Sequence, residues 1–559
     1  MKTWLLFVFT GWILFAQAQF DPFHYSITKQ VTAKKAAVVS VHPLASDAGL
    51  QVLKQGGNAF DAAIATQLAL AVVYPGAGNL GGGGFLVASL SKGNTLAIDY
   101  REKAPGAAFR DMYLDQKGEV IPNLSISGHR AAGVPGTVAG LFQTHKYAKL
   151  PFKQLIEPAI TLARGFVITE SEANGLNFTK NEFLKYNTRS TAFVKEGKWK
   201  AGDTLVQEEL AQTLERIRDL GMDGFYKGKT AELIVEEMKR GNGLITLDDL
   251  ASYQAIKREA VVFPYKNYTI VTMSLPSSGG ILLPQMMGMI RNRSLGKKGF
   301  HSPEAVQLMV EVERRAYADR AEYLGDTDFV KVPVKSLVQD GYLQSRMADY
   351  IVNKAGSSDI TKPGLFPESE ETTHLSVVDE EGNAVAVTTT LNGGYGSKTV
   401  VGGAGFLLNN EMDDFSVKPG VPNMYGALGT EANAIAPGKR MLSSMTPTIV
   451  LKKGKPFIIV GTPGGTTIPT SVFQSLVNII EFKLSAADAV NMPKFHHQWK
   501  PDVVFVEKDF PESTIEMLTK MGYKIQKRGN IGHTELILIK GKKIEAVGDK
   551  RGDDTALGY

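Results

Sequence analysis

Residues 372–392 read Thr372-Thr373-His374-Leu375-Ser376-Val377-Val378, then Asp379-Glu380-Glu381-Gly382-Asn383, then Ala384-Val385-Ala386-Val387-Thr388-Thr389-Thr390-Leu391-Asn392. Two β-prone runs flank a turn-forming segment, which predicts a hairpin centred on Glu381. Positions equidistant from Glu381 then face one another, so Thr372 lies opposite Thr390. Directly opposed side chains in such a pair sit about 4.5–5.5 Å apart at Cβ. Alternation along the second strand puts Thr388, Thr390 and Asn392 on one face. A polar face of this kind is unusual for a core strand, and it marks Thr372 as a candidate nucleophile with helpers beside it. The competing reading of this segment is a surface hairpin, because Thr favours strands anyway.

Upstream lies an acidic, proline-containing stretch, Phe366-Pro367-Glu368-Ser369-Glu370-Glu371. The chain is 559 residues long, enough for a large core or more than one unit. With 43% apolar and 21% charged residues it reads as globular. A formal charge of +5 from 62 basic and 57 acidic residues, without a dominant basic block, argues against nucleic acid as a partner. The absence of cysteine excludes disulfides, thiolate catalysis and Cys-ligated metals. At the start, Lys2 precedes an apolar run that ends in Ala16-Gln17-Ala18. This pattern predicts a secretory signal over residues 1–18 and an exported, periplasmic or extracellular protein without a stable membrane span after signal removal. An uncleaved anchor is the alternative, but the run is short and Gly11 interrupts it.

Several other motifs carry less. Gly81-Gly82-Gly83-Gly84 lacks a following Gly-Lys-Ser/Thr and any dinucleotide spacing, so close backbone packing is its expected role. His496-His497-Gln498-Trp499 has no accompanying carboxylate–His helix motif, which favours structural histidines over a metal site. No metal and no other cofactor is expected. Arg551-Gly552-Asp553 reads as a chance match to an adhesion tripeptide, and no Gly-x-Ser-x-Gly elbow is present. Periodicity predicts a helix over 60–74, strands over 85–90 and 95–100, and amphipathic helices with one charged face over 205–220, 230–239 and 303–324. Further strands are predicted over 448–451 and 457–460. Residues 418–439 show neither period and contain Pro419, Pro422 and Pro437, so they form a long loop of the kind that serves as a lid or stays disordered.

The remaining motifs suit capture of an amino acid. Arg101 offers a planar fork for a carboxylate. Glu411 and Asp414, three apart, can converge on an ammonium group. Ser443 and Ser444 add hydroxyl donors, and Gly464-Gly465 supplies two unhindered backbone N–H groups suited to an oxyanion hole.

Taken together, the ordered motifs resemble the γ-glutamyltranspeptidase family of N-terminal nucleophile hydrolases. They are Gly56-Gly57-Asn58-Ala59, Gly78 to Phe85, Asp99-Tyr100-Arg101-Glu102, Pro276 to Gly280, Tyr317-Ala318-Asp319-Arg320, Thr372-Thr373-His374, Met412 to Ser416, Leu442 to Met445, Pro463-Gly464-Gly465 and Gly558-Tyr559. The resemblance implies an α+β fold, a four-layer αββα sandwich. It implies a precursor cut between Glu371 and Thr372 into a large subunit (19–371) and a small catalytic subunit (372–559) that stay together as a heterodimer. It also implies that Thr372 is the nucleophile, that Thr390 polarises it, and that Gly464 and Gly465 hold the oxyanion. Arg101, Ser443 and Ser444 would bind a glutamyl α-carboxylate, and Asn392, Glu411 and Asp414 its ammonium. Tyr425 would bolt the lid. The implied donor is glutathione or another γ-glutamyl compound, with water, amino acids or dipeptides as acceptors. Two alternatives stay open: a related glutaryl or cephalosporin acylase, and an uncleaved binding protein for γ-glutamyl compounds.

Overall fold

Thr373–Val378 and Ala384–Thr390 are strands paired antiparallel, with Thr373 opposite Thr389 and Val378 opposite Ala384. This is the expected register, and its next pair is Thr372 and Thr390. The turn closes through Asp379, whose Oδ1 accepts from the Glu381 and Asn383 amides at 3.0 and 2.8 Å, while Gly382 adopts φ +85°. Asp379 Oδ2 accepts from the Ala59 amide at 2.9 Å, which ties the turn to the start of helix Ala59–Val73. That helix begins with a capping box in which Asn58 and Asp61 satisfy each other's amides.

The computed structural model describes residues 20–359 and 372–559. The expected signal segment and Glu371 lie outside the described residues. Two seven-stranded sheets dominate the mixed α/β architecture. The hairpin occupies the third and fourth places of one, flanked by Ala37–Ser40 and Gly83–Ser89. The other sheet contains Tyr268–Thr272, Thr448–Lys452, Lys455–Gly461 and Glu535–Lys540 among its strands. Among the described residues, the strand pairings within these two sheets are antiparallel.

Because the hairpin is central, both of its faces are buried, so it is not a surface hairpin. Leu375, Val377, Val385 and Val387 join a core with helices Pro43–Lys54 and Ala59–Val73. Val378, Ala384 and Ala386 join the core that contains Ile449, Ile458 and Leu538 of the other sheet. A one-residue slip would exchange these sets, so burial on both sides fixes the register. The glycine run lets Gly83–Ser89 approach the hairpin: a Cβ on Gly82 would stand 2.1 Å from the Thr390 carbonyl oxygen.

The other expected elements fall close to their predicted bounds, as in Glu208–Leu220, Gly228–Arg240 and Pro303–Tyr323. Helix Pro303–Tyr323 departs from expectation in its environment. Its charged residues do not form a solvated face, because Glu311, Glu313, Arg314, Arg315, Asp319 and Arg320 are all buried. Several of them form ion pairs within the protein, for example Arg315 with Glu311 at 2.5 Å and Arg346 with Asp319 at 3.1 Å. No helix among the described residues is long and apolar enough to cross a membrane.

Candidate active site

The polar face of the hairpin runs toward one end of the sheet. His374 is fully buried between Thr388 and Ser376, with Nδ1 2.9 Å from Thr388 Oγ1 and Nε2 3.1 Å from Ser376 Oγ. Ser376 donates to the Glu535 carbonyl at 3.3 Å, so it accepts from His374 Nε2–H. Nδ1 is then left to accept from Thr388. Burial pushes the His374 pKa down to about 3, so this imidazole is a neutral spacer. A Cβ on Gly461 of the facing sheet would stand 2.2 Å from its ring.

One residue pair further along, Thr372 and Thr390 line a narrow cavity with about 20 Å³ of room, enough for about one water molecule. Its wall also contains Arg101, Asn392, Glu411, Asp414, Tyr425, Ser443, Ser444 and Gly465. Gly464, also expected at the site, is not among the lining residues. The Asn392 amide donates to Thr390 Oγ1 at 2.8 Å, which leaves the Thr390 hydroxyl proton for another acceptor. Gly464 and Gly465 have φ +135° and +50°, values that side chains disfavour. They lie just before helix Thr467–Ile480, whose positive dipole end favours negative charge there.

At the other end of the cavity, Arg101 is buried against three carboxyl groups. Its Nη1 lies 2.5 Å from Glu411 and 3.4 Å from Glu102, and its Nη2 lies 2.5 Å from Asp414. Glu411 and Asp414 thus converge as expected from the short 3₁₀ turn Glu411–Asp414, but on Arg101. Burial pushes Glu411 well above the usual carboxylate range against the opposing effect of Arg101. It raises Asp414 too and pushes Glu102 up to about 7. Glu411 Oε1 makes no hydrogen bond. Ser443 and Ser444 are held beside Pro276–Ser278: the Ser443 amide donates to the Pro276 carbonyl at 2.8 Å, and the Ser278 amide donates to the Ser443 carbonyl at 2.7 Å.

Residues 418–439 fold over this cavity with a single 3₁₀ turn, Glu431–Asn433. The Met424 amide donates to Asp413 Oδ2 at 2.8 Å, and Asn423 Nδ2 donates to Asp414 Oδ1 at 3.1 Å. The Tyr425 hydroxyl donates to the Asn392 carbonyl, and a Cβ on Gly465 would come within 2.7 Å of the Tyr425 ring. Gln498 holds this loop from behind, donating to the Tyr425 carbonyl at 3.3 Å while its Oε1 accepts from Thr466 Oγ1 at 2.6 Å. The His496-His497-Gln498-Trp499 motif is therefore structural, as expected, and it braces the site. No group of three or more metal-ligating side chains occurs among the described residues.

Sequence reasoning missed Arg320, Asn423 and Thr466 on the cavity wall. Arg320 was visible only as a member of the Tyr317-Ala318-Asp319-Arg320 motif, and Asn423 only as part of the loop.

This geometry can be set beside known proteins. A cephalosporin acylase from Bacillus halodurans superposes with a TM-score of 0.84 at 25% identity, over 97% of this chain and 99% of that one. The fold is thus that of the acylase and transpeptidase class of N-terminal nucleophile hydrolases. A family profile described as Gamma-glutamyltranspeptidase matches residues 45–559. The glutathione hydrolase proenzyme of Escherichia coli is 48% identical over 548 residues, 96% of this chain and 93% of that protein. The protein of the same name from Pseudomonas aeruginosa is 46% identical over 534 residues, 94% of this chain and 95% of that protein. The chain belongs to the γ-glutamyltranspeptidase family and is an enzyme.

Proposed function

We propose that the protein is a glutathione hydrolase and γ-glutamyltransferase that matures by cutting itself before Thr372. The observation that carries this reading is the hairpin register, which puts Thr372 opposite Thr390 on a cavity whose far wall holds Arg101, Glu411 and Asp414. In maturation, Thr372 Oγ attacks the Glu371 carbonyl, the amide bond yields to an ester, and water releases the Glu371 carboxylate. The freed α-amine, with a reference pKa of about 7.7–8.0, is partly neutral near pH 7 and serves as general base for the same hydroxyl.

In turnover, the donor's α-ammonium takes Glu411 and Asp414, with Asn392 alongside, and its α-carboxylate takes Arg101, Ser443 and Ser444. Thr372 Oγ attacks the γ-carbonyl, its proton passing to the Thr372 amine, while Thr390 donates to the nucleophile. The tetrahedral oxyanion lies against the Gly464 and Gly465 amides. The C–N bond breaks, the leaving amine takes the proton, and a γ-glutamyl-Thr372 ester remains. Water then gives glutamate, or an amino acid or dipeptide amine gives a new γ-glutamyl amide.

The reading extends to the whole molecule. The two sheets and their helix partners form a four-layer αββα sandwich, the cleaved pieces stay associated as a heterodimer, and the charged-then-apolar start of the chain directs export. An acylase for glutaryl side chains has no use for two carboxyl groups aimed at an ammonium, and Glu411 and Asp414 favour the glutamyl reading over it.

Intact mass and N-terminal sequencing test the central step. Purified protein shows two chains, the smaller beginning at Thr372, and hydrolyses glutathione. Thr372→Ala stays one chain and is inactive. Two active chains in that variant would remove Thr372 from the mechanism.

A further inference from the structure

Arg320 lies near the C-terminal end of helix Pro303–Tyr323, and its side chain forms part of the cavity wall with Ser444, Asp414 and Arg101. It is buried. Its Nη2 donates to Ser444 Oγ at 3.2 Å, and its Nε donates to Ser278 Oγ at 3.4 Å. Among the described residues, no ion pair includes Arg320. By contrast, Arg101 is shared by three carboxyl groups, and the neighbouring Arg314 and Arg315 both pair with Glu311. Burial disfavours the Arg320 charge, and Tyr317 and Asp414 only partly offset this. A buried charge without a paired opposite charge is costly. Its place on the wall of this cavity gives the cost a purpose.

Two features of the site identify that purpose. The first is charge. Arg101 is shared with Glu411, Asp414 and Glu102, so its positive charge toward an incoming carboxylate is largely offset. Arg320 adds positive charge on the same wall. The second is direction. Arginine has donors only, so Ser444 Oγ accepts from Arg320 and its own proton is turned away from the guanidinium. Ser444 lines the cavity, where that proton can meet a carboxylate oxygen.

We infer that Arg320 is a specificity-determining, positioning residue of the glutamyl pocket: acting through Ser444 Oγ, its cation adds to the hold of Arg101 on the donor's α-carboxylate, because Arg101 is also shared with the two acids that read the ammonium. This deepens the proposed function and rests on it. A purely structural role, tying the helix to the Ser278 turn, is the reading to be separated.

The experiment compares the mature wild type with Arg320→Met, Arg320→Lys, Ser444→Ala and Arg320→Met/Ser444→Ala. Two donors are used, a γ-glutamyl anilide with a free α-carboxylate and its α-carboxamide counterpart. The readouts are kcat and KM, with Thr372 cleavage and melting temperature measured alongside. For Arg320→Met the carboxylate donor's KM rises about 30-fold or more, with kcat within about threefold. The carboxamide donor's kcat/KM changes by less than about threefold, and Arg320→Lys restores part of the KM. Because the two residues act together, the double variant is within about threefold of Arg320→Met. Equal losses on both donors, in Arg320→Met or Arg320→Lys, overturn the inference. If Arg320→Met does not mature, Arg320→Lys and Ser444→Ala decide: selective loss of the carboxylate donor supports the role, and equal loss refutes it. A wild type that turns over neither donor refutes the functional reading itself, which is a different result from an unselective Arg320 variant.

Discussion

Residues 418–439 are proposed as a lid over the pocket, and replacing Tyr425 with Phe removes one hydroxyl from its centre. That hydroxyl donates to the Asn392 carbonyl, and the tyrosine is only 4% exposed. Leaving a buried acceptor without this donor costs about 1–3 kcal/mol. At about 1.36 kcal/mol per tenfold, the ratio of closed to open lid falls by roughly 5- to 150-fold. The lid keeps its other ties, from the Met424 amide to Asp413 and from Asn423 to Asp414, so Phe weakens closure without abolishing it. Ala also removes the ring packed over Gly465, a change that costs about 3–5 kcal/mol for large aromatic truncations. A looser lid admits water to the acyl-enzyme. The expected result is therefore normal cleavage at Thr372, with the ratio of transfer to hydrolysis lowered modestly by Tyr425→Phe and more by Tyr425→Ala. Hydrolysis and transfer products are measured side by side across acceptor concentrations, together with donor KM. If neither the ratio nor KM moves in either variant, residues 418–439 are a surface excursion and the lid argument fails.

Arg101→Ala removes the cation shared by Glu411, Asp414 and Glu102, and breaking a buried charge pair costs about 2–5 kcal/mol. The kcat/KM for γ-glutamyl donors should fall by roughly 30- to 3,000-fold, with a lower melting temperature and a much smaller loss for donors lacking the α-carboxylate; equal losses would make Arg101 a structural residue. The second test concerns acid stability. His374 is held neutral by burial, with its pKa pushed down from 6.5 to about 3, so the folded protein binds fewer protons here than the unfolded chain. The stability this contributes is fully present above pH 6.5 and is lost as pH falls toward 3. By pH 5 the loss is about 2 kcal/mol at about 1.36 kcal/mol per unit. Thermal melts at pH 7 and pH 5 should show a smaller drop for His374→Gln than for the wild type, and identical drops would mean that His374 is not buried neutral.

How much of this was legible in the sequence depends on the distance between partners. The hairpin was legible because its pairing is local: Asp379 and Gly382 make the turn, and apolar residues on both faces then fix the register. That Arg101, Glu411, Asp414, Ser443 and Ser444 belong to one site was also legible, because their chemistry suits few other roles, and they do line one cavity. Arg320 was not. Charges along a helix ordinarily mean a solvated face, and nothing near Arg320 in sequence indicates that Ser278 and Ser444 will surround it. The same holds for Glu313, which accepts from the His497 amide at 3.0 Å, a partner nearly two hundred residues away. Buried polar networks join distant segments, so periodicity cannot reveal them.

The contact between Arg101 and the two acids also bears on how the site discriminates. On the proposed reading, a glutamyl head enters only when Glu411 and Asp414 leave Arg101, and it replaces both halves of what it breaks: its ammonium meets the acids and its carboxylate meets the guanidinium. The exchange is close to neutral in charge and leaves no buried group unpaired. A ligand with only one of these charges breaks the same ion pairs and satisfies one side, and the other side bears the full cost of a buried, uncompensated charge. Sites built to pair with polar groups reject analogues that lack them far more strongly than apolar pockets reject a missing methylene. On the proposed reading, the ion pairs of the closed pocket act as a threshold, and Arg101, Glu411 and Asp414 make selectivity for a zwitterionic head a property of the site before Thr372 acts.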